Sequence, residues 1–410
     1  MTTAAPDPAW GPPDPRAKLP NATAPDPGNH LVRSDRFAGV RARWLPLIAI
    51  LTLIATLIGG AWLTGLTGGD GVSDELFGAM LYLPLVVWAV VVARRHHIDL
   101  RALFRRPRIG HFWWVVLGLT VAQFSFSIGA SAITAALFPD FVAGAEVSTE
   151  AGFGVVAISL VVLPPLVEEL VFRGMLLERW TVKWRIGVAI VVQAIAFGAL
   201  HVDPVGAGLF GVVMALMYLR TGTLWVPIAM HAINNGVVLL AVFTAGEAVT
   251  EDSTQTIVEA LIAGIVFMGI SLPFIVWFIW RNWPDASTLT PYEEHEFGPG
   301  ALPPRHLGRV EVVAGPFGIG GQRGRLWVEQ DRIVVTADTR GRRLWTSAPY
   351  VAIHAVGIDP AATTITFAAA DGSRLELALP QRSTRYRRSV TTAVVQRLRA
   401  AGVPEPVWTQ

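Results

Sequence analysis

Cysteine is absent from this chain of 410 residues. Without thiols, the protein has no disulfide framework, no thiolate nucleophile and no cysteine metal site. Charged residues are also scarce, at 16% of the chain, whereas hydrophobic residues make up 52%. A soluble protein of ordinary composition contains about 25% charged residues, so this composition excludes an ordinary soluble protein and favours a membrane protein.

Lysine is almost absent as well, since Lys18 and Lys183 are the only lysines in the sequence. The other basic residues are arginines, and the formal net charge is only +2. The arginines do not form one basic face with interleaved aromatic residues, which nucleic-acid binding would require. The sequence therefore predicts no nucleic-acid partner.

The composition divides the chain into four regions. Residues 1–40 are rich in proline and have almost no apolar periodicity, which predicts a disordered tail. Residues 41–280 contain the long apolar segments and are predicted to form the transmembrane domain. Residues 281–305 form a polar linker that contains proline. Residues 306–410 change to short alternating runs, which predict a soluble β domain with a C-terminal helix.

The transmembrane domain is predicted to be a polytopic α-helical bundle, because apolar segments of about 20 residues, the length that spans a bilayer, recur along it. The eight predicted spans are 44–66, 75–93, 112–138, 152–177, 186–201, 205–219, 225–246 and 257–280.

Loop charge gives the bundle an orientation. Arginine and lysine lie before the first span and after the second, fourth, sixth and eighth spans, whereas the alternate loops 67–74, 139–151, 202–204 and 247–256 contain neither. By the positive-inside rule, both termini are cytoplasmic. The sequence thus predicts a multi-pass protein of the cell membrane, with the bilayer as its surroundings.

The C-terminal region is predicted to be a cytoplasmic β-rich domain. Seven alternating runs are separated by turn signals such as Gly-Gly, Asp-Arg and Asp-Gly, a pattern typical of strands and hairpins. Residues 383–401 then show helical spacing through Val390, Ala393, Val394 and Leu398. Seven strands followed by one helix resemble a pleckstrin-homology-like domain.

Two adjacent carboxylates, Glu168 and Glu169, lie within one of the most apolar stretches of the chain. A charged side chain at the bilayer centre costs about 2.5–3.5 kcal/mol on insertion scales, so such groups normally face the bundle interior and carry function. Arg173 can pair with Glu169 at i,i+4, which leaves Glu168 as the freer acid or base. Pro164 and Pro165 are predicted to break or restart the helix, which would place both carboxylates near a helix N-terminus.

Later spans contain two further polar pairs. His201 follows Phe197 by four residues, and Asn235 follows His231 by four, so each pair shares one helix face. Counted from the cytoplasmic turn that their helices share, Glu168 and His201 reach similar depths at 1.5 Å per residue. The same count predicts that His231 lies shallower than both.

These residues resemble the CPBP family, which comprises type II CAAX prenyl endopeptidases and bacterial intramembrane homologues, including bacteriocin-immunity (Abi) proteins. Phe-Arg-Gly after the acidic pair and Leu-Arg-Thr-Gly-x-Leu-Trp before the last histidine also fit that family. The resemblance covers about residues 150–245, the predicted protease core. Its motifs, in order on successive spans, are Glu168-Glu169-x-x-x-Arg173, Phe197-x-x-x-His201 and His231-x-x-x-Asn235.

The resemblance implies an intramembrane endopeptidase that hydrolyses a peptide bond of a membrane-embedded or membrane-associated protein substrate. In that family's pattern, Glu168 would be the general base that activates a water. Glu169 with Arg173 would orient the water or share its proton, and Asn235 would polarise the tetrahedral oxyanion. Bacterial members occur without prenylated substrates, so the resemblance does not identify the substrate.

The resemblance leaves the role of a metal open. Glu168, His201 and His231 would be an acceptable ligand set for Zn²⁺ or another divalent metal, which would make the water more acidic. Without a metal, a Glu–water–His site still performs general-base chemistry.

Two functions of other classes use the same residues. The first is a non-enzymatic immunity or scaffold protein, in which the pair of Glu169 and Arg173 fixes helix packing within a structural polar core. The second is a proton-coupled transporter with the buried charges as its relay. The proline interruption of the span favours a transporter, but the sequence shows no internal repeat of the kind found in transporter halves.

Overall fold

Two compact units make up the computed structural model. One contains Gly39–Arg179 and Ala189–Trp283, and the other contains Pro284–Gln410 with described residues of Met1–Ala38 and Trp180–Val188. The described residues are 36–41, 54, 58, 82–137, 153–201, 203–245, 254–286, 288–297, 305–315, 320–329, 332–339, 342–359, 361–369, 371–380, 384–403 and 407–408.

Several predictions fall largely outside these ranges. Residues 1–35 of the predicted tail and the predicted loops 67–74 and 139–151 are not among the described residues. Of the predicted span 44–66, only positions 54 and 58 are described.

The first unit is helical. Two 3₁₀ turns, Leu100–Phe104 and Gly110–Phe112, lie between its first two helices. The helices are α1 (Leu83–Arg95), α2 (Trp113–Leu137), α3 (residues 153–183), α4 (Ile186–Gly198), α5 (Pro204–Thr221), α6 (Trp225–Ala245) and α7 (Thr254–Asn282). The end of α3 from Trp180 and the start of α4 up to Val188 are assigned to the other unit.

Three stretches among the described residues are long and apolar enough to cross a membrane: Trp113–Thr134, Pro204–Thr221 and Leu261–Asn282. Two shorter apolar helices cover Ile186–Gly198 and Trp225–Leu240. The structure therefore confirms a membrane-helical part of the protein, while the number of eight spans stays a prediction.

Helix α5 has clear sequence signals at both ends. At its start, the Asp203 side chain accepts a hydrogen bond from the Gly206 N–H at 2.9 Å, and Pro204 follows in the first turn, as N-caps and first turns favour. At its end, Gly222 adopts φ +74°, a left-handed conformation that glycine reaches without steric cost. Asp203 therefore caps the start of α5.

Helices α2 and α7 cross with their backbones in close approach. A Cβ atom on Gly129 would lie 2.6 Å from the carbonyl oxygen of Gly264, and one on Gly264 would lie 2.9 Å from that of Gly129. Membrane helices without much hydrophobic drive between them associate through such small-residue contacts.

The second unit is built around one eight-stranded sheet in the order β4-β3-β2-β1-β7-β6-β5-β8. Neighbouring strands are antiparallel except β5 and β8, which are parallel. The first seven strands correspond to the seven predicted runs. The strands are β1 (Arg305–Ala314), β2 (Gln322–Val328), β3 (Arg332–Thr339), β4 (Arg342–Pro349), β5 (Ile353–Ile358), β6 (Thr364–Ala369), β7 (Arg374–Ala378) and β8 (Val407–Trp408).

Two helices accompany the sheet, α8 (Pro291–Phe297) and α9 (Thr384–Ala400). The apolar face predicted for the C-terminal helix is confirmed, because Val390, Ala393, Val394 and Leu398 are all buried in the core of this unit. Their i, i+3, i+4 spacing places them along one side of α9, and this side packs against inward-facing strand residues.

Helix α8 lies within the region predicted as a linker, residues 281–305. The Thr290 N–H donates to Glu293 Oε2 at 2.8 Å, and the Glu293 N–H donates to Thr290 Oγ1 at 3.2 Å. This reciprocal pair is a capping box, which satisfies two backbone donors at a helix start. The Thr-x-x-Glu spacing was therefore a helix signal within an otherwise polar, proline-containing segment.

Candidate active site

Helix α3, which carries both carboxylates, is not a regular α-helix. Pro164 and Pro165 have no N–H, so the carbonyls of Leu160 and Val161 receive no i+4 backbone donor. The chain remains helical across the prolines without a break, and an α segment restarts at Leu163 with both prolines in its first turn. It does so by alternating segments: Phe153–Ala157 (α), Ile158–Val162 (π), Leu163–Glu169 (α), Leu170–Leu177 (π) and Glu178–Lys183 (α).

Both glutamates therefore lie at the junction of an α segment and a π segment. Glu168 and Glu169 end the segment Leu163–Glu169, so they are not near a helix N-terminus as predicted. Because the helical run continues on both sides, the macrodipole offers them no stabilisation. π-helical bulges within α-helices occur frequently at functional sites.

Glu169 forms a fully buried ion pair with Arg173. Arg173 Nη1 lies 2.8 Å from Glu169 Oε1, and both side chains are 0% exposed. The guanidinium carbon of Arg173 also lies 4.5 Å from the centroid of the Phe197 ring, a cation–π contact. The predicted i,i+4 pairing is thus present, although π-helical turns begin directly after Glu169.

The carbonyl of Gly211 on α5 extends this polar core. It accepts from Gln193 Nε2 at 2.9 Å and from Arg173 Nη2 at 3.4 Å. A Cβ atom on Gly211 would lie 3.0 Å from the Cα atom of Ala194, so glycine lets α4 and α5 approach at this point. These contacts hold the Arg173 side chain in place from a second helix.

His231 on α6 faces both carboxylates. Its Nδ1 lies 3.1 Å from Glu169 Oε1, and its Nε2 lies 4.0 Å from Glu168 Oε2. A carboxylate oxygen accepts, so we assign the imidazole proton to Nδ1. In the neutral ring, Nε2 then presents a lone pair towards Glu168.

His201, at the end of α4, approaches Glu168 from another side. Its Nδ1 lies 2.8 Å from the carbonyl oxygen of Phe197, and its Nε2 lies 3.8 Å from Glu168 Oε2. The carbonyl accepts, which again assigns the proton to Nδ1 and the lone pair to Nε2. The imidazole also packs on the Phe197 ring, with centroids 4.4 Å apart, as the i,i+4 spacing predicted.

The two oxygens of Glu168 have different surroundings. Oε1 accepts a hydrogen bond from the Tyr82 hydroxyl at 3.0 Å. Oε2 is buried and, among the described residues, has no hydrogen-bond partner. It lies beyond direct hydrogen-bonding distance of both histidine Nε2 atoms. The Glu168 side chain is 15% exposed and that of His201 34%, so the site is accessible from the His201 side.

Asn235 is placed near the π segment rather than beside Glu168 Oε2. Its Nδ2 donates to the carbonyl oxygen of Leu160 at 2.9 Å. Both the i+4 and the i+5 positions of Leu160 are proline, so Asn235 supplies a donor that the helix itself lacks. The predicted oxyanion role of Asn235 stays a prediction.

The structure thus brings five of the six predicted site residues into mutual contact range. Two contributors were missed. The Tyr82 hydroxyl interrupts an apolar run in the second predicted span, a signal that could have identified it. The carbonyl of Gly211 is a backbone group and leaves no side-chain signal. The predicted depth mismatch of His231 is absent, because its ring reaches both carboxylates.

Three acceptor atoms face one another in this site: Glu168 Oε2 and the Nε2 atoms of His201 and His231. With neutral imidazoles, the charges of Glu168, Glu169 and Arg173 sum to −1. Such an arrangement requires a hydrogen-bond donor or a cation between the acceptors. A water molecule, a proton or a metal ion would each meet this requirement.

The predicted metal ligands are Glu168, His201 and His231. Carboxylate and imidazole are suitable ligand types for zinc, and both imidazoles have Nδ1 partners of the kind that orient metal ligands. Within the described ranges, however, no group of three histidine, aspartate or glutamate side chains is placed to hold a metal ion. These side-chain positions do not by themselves form a metal site, and the zinc ligand set stays a prediction.

Comparison with known proteins agrees with the motifs. The family described as type II CAAX prenyl endopeptidase Rce1-like matches residues 150–237. No curated protein matches the chain. Among solved structures, an N-terminally truncated linker-DH/PH fragment of p115-RhoGEF matches 71% of this chain and 98% of its own at 10% identity, but its TM-score of 0.23 supports no argument. Over residues 150–237, the segment that carries the three motifs, the chain is similar to the Rce1-like family of type II CAAX prenyl endopeptidases.

Proposed function

We propose that this protein is an intramembrane endopeptidase that hydrolyses a peptide bond of a membrane-embedded or membrane-associated protein. The observation that carries the proposal is the position of Glu168 Oε2, which is buried and faces the Nε2 atoms of His201 and His231 at 3.8 and 4.0 Å. The matching family is described as a family of endopeptidases. No prenylated substrate is proposed for this protein.

In the proposed reaction, a water molecule lies between these three acceptors. One O–H donates to Glu168 Oε2 and the other to a histidine Nε2. Glu168 removes a proton as the water oxygen attacks the carbonyl carbon of the scissile peptide. When the C–N bond breaks, Glu168 returns that proton to the leaving nitrogen, so the products are a carboxyl group and an amine.

The other site residues prepare this step. Arg173 holds Glu169 by the 2.8 Å ion pair, and Glu169 holds His231 by its Nδ1 at 3.1 Å. These two successive contacts fix the direction of the lone pair on His231 Nε2. The amide of Asn235 has a second N–H besides the one donated to Leu160, and we propose that it polarises the oxyanion.

A divalent metal such as zinc is the second form of this proposal. Glu168, His201 and His231 would hold it, and it would supply Lewis-acid activation of the water. The effect of a metal chelator on activity distinguishes the metal-bound form from the metal-free form. The proposed roles of Arg173 and Glu169 are the same in both forms.

We further propose that the helical part spans the membrane eight times with both termini in the cytoplasm, and that the sheet and α9 form a pleckstrin-homology-like domain there. The regular alternation of basic and non-basic loops supports the orientation. Seven antiparallel strands followed by a helix support the domain type. A tag placed after Gln410 should be inaccessible from outside intact cells, and a tag that reacts there would reverse the orientation.

Comparative proteomics of membrane-protein termini tests the activity. Cells that produce the full-length wild type are compared with cells that produce Glu168→Gln and Glu259→Gln. Glu259 is an exposed carboxylate on α7, outside the site, and serves as the matched control. We expect a set of new termini in wild type and in Glu259→Gln, and its loss in Glu168→Gln.

Identical termini in all three strains would refute the endopeptidase and favour the immunity or scaffold protein. Proton flux in liposomes that Glu168→Gln abolishes, without any change in termini, would support the transporter.

A further inference from the structure

The Tyr82 hydroxyl is the described partner of the glutamate proposed as the general base. Tyr82 directly precedes α1, and its hydroxyl lies 3.0 Å from Glu168 Oε1 across 86 residues of sequence. The contact is partly buried. A hydroxyl that donates to a carboxylate in such surroundings forms a charge-assisted hydrogen bond, about twice as strong as a neutral one.

This hydrogen bond fixes the direction of the other oxygen of Glu168. A glutamate side chain rotates about three bonds, so an unrestrained carboxylate would not keep one oxygen directed at the histidines. With Oε1 held by Tyr82, Oε2 is the oxygen directed at the Nε2 atoms of His201 and His231. Proton transfer is sensitive to such alignment, because a misplacement of about 1 Å lowers rates by about a hundredfold.

We propose that Tyr82 is a positioning residue that anchors Oε1 of Glu168 and thereby aims Oε2 at the water. The inference rests on the proposed endopeptidase function, which it deepens. Tyr82 acts through its hydrogen bond to Glu168. Helix α1 lies outside the segment matched by the family, residues 150–237, so the site includes a group from a second part of the chain.

The chain offers a matched control. The Tyr218 hydroxyl donates to Glu178 Oε1 at 2.6 Å, in the same helical unit. Tyr82→Phe and Tyr218→Phe therefore each remove one hydroxyl that donates to a carboxylate, but only the first touches the proposed base. A merely structural role of tyrosine hydroxyls would make the two variants behave alike.

Two measurements on full-length protein in proteoliposomes separate this inference from the function on which it rests. The first is cleavage of a pool of internally quenched fluorescent peptides, for which Tyr82→Phe should lower kcat about tenfold or more with little change in KM. Tyr218→Phe should retain wild-type kcat. The second is the infrared carboxylate band of Glu168, identified as the band missing from Glu168→Gln, which should shift in Tyr82→Phe alone.

The outcomes are distinct. Wild-type kcat and an unshifted Glu168 band in Tyr82→Phe would overturn the positioning role. Equal losses of kcat in both tyrosine variants would overturn it as well. A shifted band in Tyr82→Phe together with no cleavage by wild type would support the Tyr82 contact and refute the endopeptidase.

Discussion

Removal of Arg173 should destabilise the helical unit more than removal of any exposed arginine. In Arg173→Met, the Glu169 carboxylate stays fully buried but loses the guanidinium at 2.8 Å, and His231 Nδ1 is its remaining partner among the described residues. Leaving one partner of a buried pair uncompensated costs about 3–5 kcal/mol. The Gly211 carbonyl keeps its 2.9 Å bond from Gln193, so the loss arises from the carboxylate.

The origin of this loss can be isolated by a double-mutant cycle with Glu169→Gln. The neutral glutamine removes the buried charge, and a buried pair replaced as a whole is often close to neutral in stability. We therefore expect the double variant to be more stable than Arg173→Met, with a coupling free energy of about 2 kcal/mol or more.

The free energy of unfolding in detergent micelles, followed by circular dichroism during denaturant titration, provides the measurement. Arg281→Met is the control, because Arg281 is exposed at the end of α7, and it should change stability by less than about 0.5 kcal/mol. Additive effects of the two substitutions would refute the reasoning, since they would mean that Arg173 and Glu169 do not depend on each other.

Three further predictions concern other contacts. Asn235→Ala should lower the free energy of unfolding by about 1–3 kcal/mol, because the Leu160 carbonyl loses its 2.9 Å donor; unchanged thermal unfolding would refute this. Peptide cleavage should persist in a zinc chelator, and loss that added zinc restores would favour the metal form. In the β-sheet unit, burial raises the pKa of the Asp359 carboxyl, but hydrogen bonds from Thr363 and Thr364 lower it by more. The pKa of Asp359 therefore lies below its usual value. Its contribution to stability is complete above the unfolded pKa of about 3.9 and is lost as pH falls further, so the acid loss of stability should be smaller in Asp359→Asn.

The local contacts of the site were predictable from spacing alone. Glu169 and Arg173, and likewise Phe197 and His201, are four residues apart, and each pair is in contact. Such contacts depend on one helix and follow from its periodicity. Helix lengths counted from the cytoplasmic turn between the two helices also predicted correctly that Glu168 and His201 lie close together.

Predictions that depended on regular helix geometry were less successful. The expected shallow position of His231 assumed a rise of 1.5 Å per residue, but Leu170–Leu177 is π-helical and rises less per residue. The expected helix N-terminus at Glu168 assumed that proline ends a helix. Instead, the chain widens to π geometry, and Asn235 supplies the Leu160 carbonyl with a donor.

Contacts between distant parts of the chain were not predictable from spacing. Tyr82 and Glu168 are 86 residues apart, and no periodicity relates them. Helix α8 was also not predicted, although its capping box at Thr290 and Glu293 was visible in the sequence. Its seven residues contain no long apolar pattern, so composition alone suggested a linker.

The charge of the site distinguishes a structural polar core from a functional one. Arg173 and Glu169 neutralise each other, and His231 Nδ1 adds a hydrogen bond to Glu169 Oε1. A core that only fixes helix packing would need no further charge. Glu168 adds a second carboxylate whose Oε2 faces two acceptor nitrogens, an arrangement that costs free energy in the folded protein and is typical of a functional site.

Glu168→Gln should therefore stabilise the protein while it abolishes cleavage. The glutamine carbonyl can still accept from Tyr82, and its NH₂ group can donate to the lone pairs of His201 and His231, so the conflict among acceptors disappears. Relief of such a conflict is worth about 0.5–2 kcal/mol, measured by the same denaturant titration. Arg173→Met is expected to lower the free energy of unfolding, whereas Glu168→Gln is expected to raise it. The sign of the change in each variant therefore tests the reasoning. Destabilisation by Glu168→Gln would identify Glu168 as a structural residue and would contradict its role as the base.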